Sequence, residues 1–115
     1  MEMFRSVTGV YLHREPVDFR KAINGLSLIV EQTMGLSPFS GAVFVFVNKS
    51  RNKLKILYWD KSGFAMWYKR LEQDKFRWPR RWAEPVMTLS ESQLHWLLAG
   101  HDIEGHQALH YSQVG

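Results

Sequence analysis

The chain has 115 residues, 45% hydrophobic and 23% charged, which fits one soluble globular domain rather than a disordered segment. It carries no cysteine, which excludes disulfides and thiolate zinc sites. Its apolar runs fall far short of the ~20 residues that cross a bilayer, and residues 1–9 lack the apolar core of a signal peptide, so a cytoplasmic protein without membrane contact is expected.

Residues 7–13 form a short β-prone run, with Val10 and Leu12 on one pleat and Tyr11 and His13 on the other. Pro16 breaks it. Asp18 then stands where a helix N-cap is expected, and Phe19, Ala22, Ile23, Leu26, Ile29, Val30 and Thr33 recur at helical spacing. Gly25 interrupts that pattern at a cost of roughly 1 kcal/mol, which points to close packing against it. Gly35 is the expected stop, and residues 36–41 read as a loop.

Residues 42–47 are apolar at every position, the pattern of a central strand covered on both faces. Residues 48–52 have hairpin-turn chemistry. On the return strand Leu54, Ile56 and Tyr58 face one way, and Lys53, Lys55, Leu57 and Trp59 the other. After a turn at residues 60–63, Phe64, Trp67, Tyr68 and Leu71 fit helical spacing and predict a short helix; the aromatic content also allows the third strand of a meander. Residues 75–78 predict a short extended segment stopped by Pro79. Ser90 and Gln93 make a capping box, Leu89 and Leu94 its hydrophobic staple, and Gly100 closes the last helix. That helix is expected to bury Leu94, Leu97 and Leu98, with Trp96 at its edge. The expected fold is α+β, an antiparallel sheet with helices packed on it, in the order β-α-β-β-α-β-α of a split βαβ arrangement. Residues 1–100 make a single domain, and residues 101–115 a polar, histidine-containing, flexible tail.

Charge is distributed unevenly. Residues 49–81 hold eleven of the fifteen lysines and arginines against three acids, so they carry +8 and the rest of the chain −4. Trp59, Trp67 and Trp78 lie in the same stretch, with Trp82 just beyond it. Cations neutralise phosphates, and interleaved aromatics stack on unpaired bases. Arg51, Lys53, Lys55, Trp59, Lys69, Arg70, Arg77, Arg80 and Arg81 are therefore the candidate nucleic-acid contacts. The competing reading is a solvated edge that discourages sheet-to-sheet aggregation, with tryptophans filling the core. His106 and His110 stand four apart, a spacing metals accept, but the segment follows a helix stop and contains Gly105, so no metal site is expected. His13 and His95 read as surface or boundary residues. No converging acids, Gly-rich phosphate loop or nucleophile elbow is present, so neither catalysis nor a cofactor is expected.

The sequence also resembles a known family. The resemblance is carried by residues 17–21 (Val-Asp-Phe-Arg-Lys) with Gly25 and Leu26, by residues 38–41 and 44–46, and by residues 55–60 (Lys-Ile-Leu-Tyr-Trp-Asp). Gly63 and residues 68–72 (Tyr-Lys-Arg-Leu-Glu) follow, leading to Phe76, Trp78 and Pro79. Together they are similar to TnpB, the second-open-reading-frame accessory protein of the insertion-sequence group numbered sixty-six, which is distinct from the RNA-guided nuclease of that name. Order and spacing agree over roughly residues 7–100. Departures are Glu15-Pro16 in place of a glycine-containing turn, Ala22 after the Arg-Lys pair, and Asp74 where glycine is common. The resemblance implies a non-enzymatic bacterial factor that assists a separate transposase, and it transfers no catalytic residue. The expected partners are element DNA and that transposase; the alternative is a protein–protein adaptor whose basic face meets an acidic surface of the transposase.

Overall fold

Val43–Val47 is buried at every position, and the rest of the chain is laid around this strand. The computed structural model describes residues 7–103. In chain order the elements are β1 (Val10–His13), α1 (Ile23–Gln32), β2 (Val43–Val47), β3 (Lys53–Asp60), β4 (Gly63–Arg70), β5 (Val86–Leu89) and α2 (Glu91–Leu98). The strands form one sheet in the spatial order β4-β3-β2-β1-β5. β1 and β2 run parallel, Val10 beside Val43, because the crossover through α1 returns the chain in the same direction. Every other pairing is antiparallel. The fold is therefore α+β, as expected, with a mixed, mostly antiparallel sheet of five strands and two helices in place of the three predicted. The βαβ unit is not split, since β1 and β2 are immediate neighbours.

Strand alternation divides the core into two clusters. On one face Val10, Leu12, Val43, Val45, Val47, Leu54 and Ile56 meet Leu94, Leu97 and Leu98 of α2, with Phe76 and Trp78 alongside. On the other, Phe44, Phe46 and Leu57 meet Leu26, Val30 and Met34 around α1. The faces of β1, β2 and β3 are those the alternation predicted. Ile103, beyond the helix stop, is also fully buried in the α2 cluster.

The ends of α2 follow its sequence signals. Ser90 Oγ accepts from Gln93 N–H at 3.0 Å while Ser90 N–H donates to Gln93 Oε1 at 2.8 Å, completing the capping box. At the other end Gly100, at φ +92°, donates to the Leu97 carbonyl, and His101 N–H reaches Trp96 O at 2.8 Å. That pair of bonds is a Schellman motif. α1 starts later than predicted. Asp18 does not cap it: its carboxylate accepts the Arg20 N–H at 2.9 Å and the Arg20 guanidinium, closing a local turn, and the helix begins only at Ile23. Gly35 does stop it, its φ of +67° letting Leu36 N–H reach the Val30 carbonyl. The close neighbour of Gly25 is Lys21, whose Cβ would lie 3.1 Å from an added methyl group.

The stretch predicted as a helix at residues 64–71 is strand β4. A turn of Lys61 and Ser62, with Lys61 at φ 54°, folds it back along the whole of β3, from Asp60 with Gly63 to Lys53 with Arg70. Alternation sends Phe64 and Met66 to the α1 face and Trp67 to the α2 face. Its helical spacing was coincidental, and eight cross-strand pairs outweigh it. Residues 75–78 form no strand; they cross the sheet end as a loop that drives Phe76 and Trp78 into the core. The fifth strand is instead β5, only four residues long and unrecognised behind Pro85.

His13, expected at the surface or its boundary, is instead buried, at 6% exposed. Its Nδ1–H donates to the Glu15 carbonyl at 2.7 Å, and its ring lies 5.6 Å from that of Phe46. Burial holds its pKa below 6.5 despite the opposing pull of the Glu15 carbonyl. The unfolded chain therefore takes up this proton more readily than the folded one. The stability so contributed is full above pH 6.5 and is lost as pH falls through the folded-state pKa. Thermal unfolding between about pH 7.5 and pH 5 should show a smaller loss of Tm for His13→Gln than for the parent chain. Parallel pH profiles would refute this.

Candidate nucleic-acid interface

β2 ends, β3 begins and β4 ends at the same edge of the molecule, and the loops 14–22 and 71–85 leave from it. The turn between β2 and β3 is braced by Asn48. Its Oδ1 accepts from Lys53 N–H at 3.0 Å, its Nδ2 donates to Asn52 Oδ1 at 2.8 Å, and its carbonyl accepts from Arg51 N–H at 3.0 Å. Arg51 takes a φ of 61°, and its carbonyl accepts the Phe76 N–H at 2.7 Å. That bond stitches the turn to the loop that carries the arginines.

Between turn and loop lies a cleft of about 490 Å³ lined by Arg51, Lys75, Arg77, Arg80 and Arg81, with Asp74 and Asp102 as the opposing charges. Five cations against two carboxylates leave +3 on its walls. Arg51 Nε is buried without a hydrogen-bond partner. A second concavity, of about 680 Å³, flanks the other side of the turn and includes Arg20, Lys49 and Lys53. Both hollows thus border one basic turn.

The nine predicted contact residues fall into separate groups. Arg51, Arg77, Arg80 and Arg81 converge on the first cleft and Lys53 lines the second. Arg70 shares that end, opposite Lys53, and pairs with Glu72 at 2.7 Å. Lys55 turns inward: its Nζ donates to the carbonyls of Phe19 and Lys21, both at 3.0 Å, and lies 4.6 Å from the Phe19 ring centre. Burial, then the charge of Lys53, lowers its pKa. Lys69 points to the α2 face, where its Nζ donates to Leu98 O at 2.8 Å. A cation on the last carbonyls of a helix is favoured by the helix dipole. Trp59 lies at the opposite end of the sheet, packed edge-on against Phe39 at 5.1 Å and Phe64 at 5.0 Å.

The other tryptophans are also engaged. Trp78, 5% exposed, donates its indole N–H to the Arg14 carbonyl at 2.8 Å, and that of Trp82 reaches Val86 O at 2.9 Å. Trp82 is nonetheless 37% exposed, but the aromatics that line the cleft, Phe76 and Trp78, are buried, so its walls present cationic groups without an open aromatic face. Such walls suit phosphate oxygens, which guanidinium groups bind through paired N–H donors, better than bases. Sequence reasoning left out Lys75 and, for the second hollow, Arg20 and Lys49. A loop anchored by buried Phe76 and Trp78 leaves Lys75 and Arg77, the preceding and intervening residues, exposed, and that alternation was visible in the sequence. Among the described residues no group of three or more His, Asp or Glu could hold a metal ion, and no helix is long and apolar enough to cross a membrane. His106 and His110 lie outside the described residues.

A family model described as IS66 Orf2 like protein matches residues 8–108. Two curated proteins of Sinorhizobium fredii (strain NBRC 101917 / NGR234), both named as uncharacterized, are similar over most of their length. One, y4jC, is 36% identical over 88 residues, covering 76% of this chain and 74% of its own. The other, y4hO, is 32% identical over 93 residues, covering 81% and 80%. No solved structure matches.

Inward and outward cations should respond differently to truncation. Lys55→Met removes a charged donor from two backbone carbonyls and should lower folding stability by about 1.5–3 kcal/mol. Arg77→Ala, exposed on the cleft wall, should stay within about 0.5 kcal/mol of the parent. Urea denaturation of both variants measures this. Equal destabilisation would remove the distinction between scaffold and surface cations.

Proposed function

The chain belongs to the IS66 Orf2-like family, and from that membership and its basic end we propose that it is a non-enzymatic accessory factor in transposition of a bacterial insertion sequence that contacts element DNA through phosphate. The observation that carries the DNA contact is the cleft beside the β2–β3 turn, where Arg51, Lys75, Arg77, Arg80 and Arg81 meet. Each cation that neutralises a phosphate releases a counterion, so affinity comes from electrostatics and depends steeply on salt. The cleft offers no stacking surface and no base-reading element, so sequence choice falls to DNA shape or to the transposase encoded by the same element. The protein's part is then to hold DNA in that assembly while the transposase performs the chemistry.

Binding of labelled element-end DNA should weaken with salt, with log K linear in log salt concentration. In the triple variant Lys75→Ala/Arg77→Ala/Arg81→Ala that slope should become shallower by about 1 for each phosphate no longer neutralised. Lys61→Ala, at the far end of the sheet, should leave it unchanged. Absence of binding even at low salt would sink the DNA reading. Retention on the transposase in that case would put the adaptor reading in its place.

A further inference from the structure

β4 is the outer strand of the sheet, and among the described residues nothing pairs with its free edge. It is eight residues long and its register with β3 runs unbroken over eight pairs, whereas the opposite outer strand, β5, has four residues and follows Pro85. The alternation of the ladder fixes which backbone groups it offers. Leu71 N–H donates to Asn52 O at 2.8 Å and Asn48 N–H to Lys53 O at 3.2 Å, so even-numbered residues of β3 bond to β4 and odd-numbered ones to β2. Through the register, the N–H and C=O of Phe64, Met66, Tyr68 and Arg70 are left pointing outward. Natural edges are usually blunted by proline, a bulge, or a charge in the middle of the strand. β4 has none of these; its first charge is Lys69, near its end.

We propose that β4 pairs with β4 of a second copy, antiparallel, about a two-fold axis beside Met66, joining two sheets edge to edge. The strand is self-complementary in that register. Phe64 of each copy falls opposite Tyr68 of the other, on the face of the sheet where α1 packs, and aromatic cross-strand pairs are favourable. Tyr68 is 50% exposed in the single chain. Within β4 no like charges meet: in that register Lys69 falls opposite Gly63 of the other copy and Arg70 opposite Ser62. A contact of one surface with itself closes as a dimer. Antiparallel pairing also sets the two basic ends at opposite poles, so one dimer would engage two DNA segments. That consequence alone rests on the DNA reading; the pairing does not.

Light scattering on the full chain should give twice the 13.5 kDa mass of one copy. In Tyr68→Pro the missing N–H is one that points outward, so the β3–β4 ladder is kept while the dimer Kd should rise at least roughly 10-fold. The chain has no cysteine, so single cysteines report proximity directly. Met66→Cys should form a disulfide-linked dimer on oxidation, since copies paired at that residue bring its Cα atoms within ~4.4–6.8 Å of each other. Glu31→Cys, exposed on α1, should not. If Tyr68→Pro fails to fold, the cysteine pair decides. A monomer at all concentrations, or a dimer that Met66→Cys does not trap, overturns the proposal. DNA binding by monomeric Tyr68→Pro keeps the two readings apart, because it leaves the DNA contact standing whether or not the edge pairs.

Discussion

β2 is buried on both faces, and that constraint shapes the molecule. A strand of Val43, Phe44, Val45, Phe46 and Val47 leaves neither side to water, so a helix must cover each side and a strand must flank each edge. The α1 crossover meets two of these needs at once, covering Phe44 and Phe46 and delivering β2 parallel to β1. The other face needs α2, which has only eight residues, and the remaining cover comes from Phe76 and Trp78. The loop of residues 71–85 is therefore part of the core. Because it is pinned at Phe76 and Trp78, Lys75 and Arg77 are exposed at a fixed place.

Two lysines complete that frame from within. Lys55 ties β3 to the chain entering α1, and Lys69 ties β4 to the last turn of α2. Each satisfies carbonyls that would otherwise compete for water at the end of the sheet. A basic end thus contains two populations of cations. One population holds the backbone together, and the other lines the concavities on either side of the β2–β3 turn.

Much of this was legible in the sequence, and what was not has a common cause. The two faces of β1, β2 and β3 follow from alternation, and both ends of α2 follow from Ser90, Gln93 and Gly100, signals that act within a few residues. β4 was misread because Phe64, Trp67 and Tyr68 satisfy two periodicities, and the deciding partner, β3, acts through pairing that a window of sequence does not contain. β5 is too short to show alternation, and only its neighbour β1 makes it a strand. The site divides the same way. A lysine's position on a strand says which face it leaves from, but not whether its tip ends on a carbonyl, as with Lys55, or at a cleft wall.

That division bears on what the family resemblance can mean. The segments that carry it are largely the ones joined by internal bonds: residues 17–21 receive Lys55, residues 68–72 contain the Lys69 anchor and the Arg70–Glu72 pair, and Trp78 bonds Arg14. Arg51, Lys75, Arg77, Arg80 and Arg81 lie outside those segments. The quoted segments therefore lie chiefly in the scaffold, while the charge on the cleft comes from the turn and the loop that the scaffold presents. Phosphate contact makes few geometric demands beyond positive charge within reach, so such a surface can vary in its residues while the frame presenting it stays the same. Here the frame supplies the location, and the turn and loop supply the charge.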